Sequence, residues 1–225
     1  MKNLLPPFLV CIGSSTGGPS ALKDVLSQIP KGYQGAVIVV QHLGDNFTEA
    51  LADWLQDCTE LVCKVPENDQ LIEAGTLYLA PGGKHLVIKS GGRLGFEPAL
   101  PSDIHTPSVD RLFESAAQHS TGVGVGVLLS GMGRDGAKGL VALKRSGFVA
   151  LTQSESSCVV YGMPRAAVLL DASDFAFDPV QIGAYLSRFA SETKVSRGIN
   201  GPRRFDRKLL LSLAANASGK AGAKG

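Results

Sequence analysis

Gly13-Ser14-Ser15-Thr16-Gly17 reads G-x-S-x-G between an apolar run, FLVCIG (8–13), and a segment of helical period. A serine at the centre of a sharp strand-to-helix turn presents its hydroxyl outward, and the flanking glycines admit the tight backbone. The helix N-terminus behind such a turn stabilises negative charge developing near the serine oxygen. The pattern therefore selects Ser15 over Ser14 and Thr16. Taken alone it has three readings: a nucleophile, a phosphate cradle made of backbone amides, or a plain structural turn. The phosphate reading lacks both of its usual fingerprints, GxGxxG and GxxxxGK[ST].

Two further loops carry reactive groups. His42 closes the apolar run GAVIVVQH (35–42), where its imidazole can reach a serine at the end of a neighbouring strand. Of the other histidines, His85 opens a hairpin, His105 lies in a loop, and His119 sits near a helix C-terminus, where it favours the dipole. Asp135 lies in SGMGRDGA (130–137), between an apolar strand and a helix. It is either an ordinary N-cap or a carboxylate that orients an imidazole. Ser15, His42 and Asp135 together supply a nucleophile, a base and an orienter, a role set that requires geometry and no particular chain order. The order Ser…His…Asp, with the serine after the first strand, differs from the Ser…Asp…His of α/β-hydrolases.

To place three such loops at one edge, the chain must build a sheet whose strands point the same way. Apolar runs at 8–13, 35–42, 61–65, 75–81, 122–131, 148–153 and 174–178 alternate with helical segments at 19–28, 47–58, 107–120, 135–147, 163–170 and 179–190. Asn46 is the expected N-cap of the second helix, and Pro107 suits the first turn of the third. Residues 85–98 read as a hairpin turning at Gly91-Gly92. Strands apolar throughout belong in sheets covered on both faces. The fold class is therefore α/β: a doubly wound, mainly parallel sheet with helices on both faces and an inserted antiparallel hairpin.

Charge divides the chain. Residues 193–225 hold eight Lys or Arg against one acid, net +7, whereas residues 1–192 hold fourteen against nineteen, net −5. This predicts a compact domain over 1–192 and a basic, flexible tail over 193–225, with RRFDRK (203–208) and the leucines after it as an alternative short docking helix. No apolar run approaches the roughly 18 residues needed to span a bilayer, so no membrane insertion is expected. The four cysteines, Cys11, Cys58, Cys63 and Cys158, show neither CxxC pairing nor metal-type spacing and read as reduced thiols.

IGSSTGG, VVQH, LYLAPGGKHL, HTPSVDRLF, GVLLSGMGRDGAKGL and SCVVYGMPRAA follow one another in this order. Over residues 9–178 they resemble the catalytic domain of chemotaxis protein-glutamate methylesterases, the CheB family. The resemblance implies a catalytic triad of Ser15, His42 and Asp135, with Thr16 and Met132 giving oxyanion-binding backbone amides. It implies hydrolysis of glutamate methyl esters on the helical cytoplasmic region of chemoreceptors, with release of methanol and with possible deamidation of receptor glutamines. No metal and no organic cofactor are needed, no nucleic acid is an expected partner, and the location is cytoplasmic. Ser14 stands where the family often has alanine, which implies a packing role. Thr106 stands where the family frequently has arginine, which bears on receptor choice. Asp110 reads as structural, at a helix start, and Arg165 as a candidate substrate contact. Family members commonly carry a receiver domain ahead of the catalytic one. With the first strand starting at Phe8, the sequence predicts constitutive activity or control by a receiver-domain regulator in trans.

Overall fold

The computed structural model describes residues 6–120 and 124–195. In chain order the first half comprises β1 (Leu9–Ser14), α1 (Gly18–Leu26), β2 (Ala36–Gln41), α2 (Thr48–Gln56), β3 (Val62–Lys64), β4 (Gln70–Leu71), β5 (Thr76–Leu79), β6 (Lys84–Lys89) and β7 (Arg93–Pro98). The second half comprises α3 (Val109–His119), β8 (Gly124–Leu128), α4 (Ala137–Ser146), β9 (Val149–Gln153), α5 (Met163–Leu169), β10 (Phe175–Phe177) and α6 (Pro179–Val195). Seven strands form one sheet in the order β10-β9-β8-β1-β2-β5-β3, with every neighbouring pair parallel. A small antiparallel sheet, β4-β7-β6, holds the expected hairpin, and both Gly91 and Gly92 turn through positive φ.

Successive residues of the central strands point to opposite faces, and each face has its own core. Val10, Ile12, Val37 and Val39 pack with α1, α2 and α6. Leu9, Cys11, Ile38 and Val40 pack with α3, α4, α5 and the antiparallel sheet. Covering both faces is what requires strands that are apolar at every position. Cys11 serves there as a small hydrophobe, its thiol pushed up to about 12 by burial. All four cysteines are unpaired.

From β1 the chain adds β2, lays β3 at the far edge and returns β5 between them, then crosses back to place β8 on the other side of β1. The strand order therefore reverses between β1 and β8, and ligands of such sheets bind beyond the carboxyl ends at that point. Ser15 follows β1 and Asp135 follows β8.

Several local expectations are corrected. Asn46 does not cap α2: it lies inside a 3-10 turn, Asp45–Phe47, and Phe47 takes the cap position without a side-chain bond. Pro107 lies outside α3, because Ser108 is the N-cap, with extended backbone and a hydroxyl that accepts the Arg111 amide at 3.4 Å. The two-residue β4 carries no periodicity and escaped the sequence reading. Helix α6 continues to Val195, past the expected domain end at 192, and the remainder of the proposed tail, including 203–208, lies outside the described residues.

Candidate active site

Ser14 and Gln41 clamp the ends of β1 and β2. The Ser14 hydroxyl, fully buried, donates to Gln41 Oε1 at 2.7 Å, and Gln41 Nε2 donates to the carbonyls of Ser15 (2.9 Å) and His42 (3.0 Å). Ser14 thus does more than pack. The His42 amide donates to Ser14 O at 2.9 Å, extending the Ser14–Gln41 pairing so that Ser15 and His42 occupy the next rung.

On the other side, the Ser15 amide donates to Ser130 O at 3.0 Å. Ser130, also fully buried, donates its hydroxyl to Thr16 O at 2.8 Å and accepts the Val160 amide at 3.0 Å, lacing three loops together. Two glycines make this closeness feasible. Gly17 starts α1 at φ 80°, and a Cβ there would meet Val159 Cβ at 2.6 Å. A Cβ on Gly131 would meet Ser15 Cβ at 2.8 Å, so Ser15 lies against that glycine.

Asp135 reaches the same edge from β8, but it does not cap its own helix. Gly136, at φ 88°, takes that position. The Asp135 carboxylate instead receives four donors. His42 Nε2 (2.8 Å) and the Val109 amide (2.7 Å) bond Oδ2, while the Ser108 hydroxyl (2.9 Å) and the Asp110 amide (3.0 Å) bond Oδ1. Burial works to raise its pKa, yet these bonds outweigh it and hold the group below the usual carboxylate range. An ionised carboxylate only accepts, so His42 Nε2 carries a proton, and in the neutral ring the free lone pair is on Nδ1. That Nδ1 is buried and has no hydrogen-bond partner.

Helix α3 returns the arrangement. Asp110 Oδ1 accepts the Gly139 amide of α4 at 2.7 Å, so the carboxylate before α4 caps α3 and the one in α3 caps α4. Burial, with the nearby charges of Asp135 and Glu114, pushes Asp110 up to about 6 against the pull of the Gly139 and Gly136 amides. Its expected structural role fits this contact. His85, expected only to open a hairpin, is buried and braces the α3 entry: Nε2 donates to Asp103 at 2.8 Å and Nδ1 accepts the Ser108 amide at 3.1 Å. His105 stacks on the His42 ring, with centroids 4.3 Å apart and planes at 15°. Burial and the neighbouring His42 lower its pKa. His119 ends α3 as expected.

The Ser15 hydroxyl makes no bond to His42 in this structure; the two meet only as neighbours across the strand ends. The amides of Thr16 and Met132 likewise donate to no acceptor among the described residues. No group of His, Cys, Asp or Glu among the described residues is arranged to hold a metal ion. Sequence reading missed Gln41, Ser130, Ser108 and His85 as supports. The signal available for the first two was their position, polar residues at the ends of strands otherwise wholly apolar.

The model of the CheB methylesterase family matches residues 10–186. The chain belongs to that family. All the side chains of the site described above fall inside the matched segment. The chain is similar to the protein-glutamate methylesterase/protein-glutamine glutaminase of Mesorhizobium japonicum, 43% identical over 183 residues, covering 81% of this chain and 53% of that protein. It is similar to the protein-glutamate methylesterase FrzG of Myxococcus xanthus, 42% identical over 187 residues, covering 82% and 55%. The chain spans about half the length of these curated relatives. Among solved structures, it superposes on the CheB methylesterase catalytic domain of Thermotoga maritima with a TM-score of 0.77 and 33% identity, covering 80% of this chain and 97% of that one.

Proposed function

We propose that this protein is a serine hydrolase that removes methyl esters from glutamate side chains of chemoreceptors. The observation that carries the reading is the His42 ring, fixed by Asp135 through Nε2 and carrying an unpartnered Nδ1, on a residue that shares its rung with Ser15. In the proposed reaction Nδ1 takes the Ser15 proton as Oγ attacks the ester carbonyl. The Thr16 and Met132 amides, free of other acceptors, receive the developing oxyanion. The imidazolium, balanced by the Asp135 carboxylate, protonates the methoxy oxygen, the C–O bond breaks and methanol leaves. Water then adds to the acyl-enzyme, giving one proton to Nδ1, and collapse returns that proton to Ser15 and releases the glutamic acid side chain, which loses its remaining proton to solvent. A glutamine side chain enters the same cycle with ammonia as leaving group, which is the deamidase activity we propose alongside.

The proposed partners are methylated chemoreceptor cytoplasmic helices and a receiver-domain regulator, and the proposed location is the cytoplasm. No described helix is long and apolar enough to cross a membrane. The test is methanol release from radiolabelled methylated receptor by the wild type and by Ser15→Ala. Release by the wild type alone is expected; release by both would reject Ser15 as nucleophile.

A further inference from the structure

A groove of about 900 Å³ runs from Asp135 past His105 and along α5. Its charged lining sorts into two groups. The acids are turned inward: Asp135 to His42 and α3, Asp110 to Gly139, and Asp103 to His85. Arg111 is paired with Glu97 and Asp103. Arg134, Lys138 and Arg165 are exposed, line the groove, and have no carboxylate within ion-pair distance among the described residues. A wall whose anions are consumed internally and whose cations remain free presents net positive charge to whatever lies in the groove. Beside the cations, Ile104, Leu169 and Leu170 stand 89%, 74% and 50% exposed.

We propose that this groove is the docking surface for an acidic amphipathic helix, with Arg134, Lys138 and Arg165 reading the free carboxylates that flank the esterified glutamate. The inference rests on the esterase reading for the identity of the central residue. It rests on charge complementarity and exposed apolar side chains for the rest. A helix about 10 Å across fills roughly 120 Å³ per residue, so the groove takes on the order of two turns. Two turns bring residues three, four and seven positions from the ester onto one face, so that one helix face can meet both the cations and the apolar rim. Exposed ion pairs are individually weak and salt-sensitive, so the surface selects among helices by the sum of several contacts.

The experiment uses the full chain carrying Ser15→Ala, so that no turnover occurs, and fluorescence anisotropy with two labelled helical peptides. Both contain one glutamate methyl ester and the same apolar positions; one has flanking glutamates and the other flanking glutamines. The acidic peptide is expected to bind at least tenfold tighter in 50 mM salt and to lose most of that advantage in 500 mM. Arg134→Gln, Lys138→Gln and Arg165→Gln combined should remove the preference, and each alone should lower it by about twofold, which covers a failure of the triple variant to fold. Equal affinity for both peptides would overturn the proposal, as would a preference that survives the substitutions. Tighter binding of a single-stranded oligonucleotide than of either peptide would assign the cations to nucleic acid and overturn it too. An acid preference in a protein whose wild type releases no methanol would instead sink the esterase reading and leave the docking surface standing.

Discussion

Replacing Asp135 by Asn tests whether one carboxylate holds both the site and a helix. The carboxylate receives four donors on two oxygens, two apiece. An amide of the same shape has one accepting oxygen, so two donors lose their acceptor in either orientation. With the amide nitrogen at Oδ2, His42 adapts by changing tautomer but the Val109 amide cannot. With it at Oδ1, the Ser108 hydroxyl adapts by rotating but the Asp110 amide cannot. Either way a backbone N–H faces another donor, at about 1–3 kcal/mol. Losing the negative charge at the α3 N-terminus adds about 0.3–1 kcal/mol. Asp135→Asn should therefore lower unfolding free energy by about 1–4 kcal/mol, read as a lower urea midpoint by circular dichroism. It should also lower ester hydrolysis by about 10⁴-fold, as replacing a triad aspartate by asparagine does elsewhere. Acid supplies a second check. Because the folded pKa is depressed, the stability from ionised Asp135 is present above the unfolded value near 4 and lost as pH falls through the folded value. The gap between wild type and variant should narrow progressively as pH falls below about 4. An unchanged midpoint at pH 7, or a gap that widens in acid, would refute the four-donor argument.

Asp110 titrates in the opposite sense. A carboxyl raised to about 6 in the folded state makes its ionised form unfavourable at neutral pH, so wild-type stability should rise as pH falls from 7 to 5. Asp110→Asn keeps an acceptor for the Gly139 amide and should flatten that rise in thermal melts at pH 5, 6 and 7. Gly131→Ala would drive a methyl toward Ser15 Cβ and the Met163 sulfur. Its stability cost should be about 1–3 kcal/mol, and its hydrolysis should fall at least tenfold because the shift lands on the proposed nucleophile; steady-state kinetics beside a melt separates the two.

The fold was legible because its physics is local. Two covered faces demand strands that are apolar at every position, and those runs stand out between amphipathic helices. The three reactive loops were legible because glycine, serine, histidine and aspartate interrupt those runs at the ends of strands. The supports were hidden because their partners are remote. Asn46 looked like a cap, but the chain enters α2 through a 3-10 turn that leaves its side chain no role there. Asp135 looked like a cap for the helix that follows it and caps α3 instead, while Asp110 in α3 serves α4. That exchange ties two helix N-termini at the strand ends through opposite carboxylates, a relation no window of sequence contains.

The exchange also orders the chemistry. Four donors keep Asp135 ionised and acceptor-only, which puts the His42 proton on Nε2 and leaves Nδ1 as the one nitrogen able to take a proton. Stacking by His105 fixes one face of the same ring. Gln41, held by the Ser14 hydroxyl, binds the carbonyls of Ser15 and His42, so that the two residues stay side by side at the strand ends. On this reasoning the proposed base is set less by the histidine itself than by the helix that its aspartate caps. A substitution in the first turn of α3 should therefore register in the tautomer of His42 before it registers in the fold.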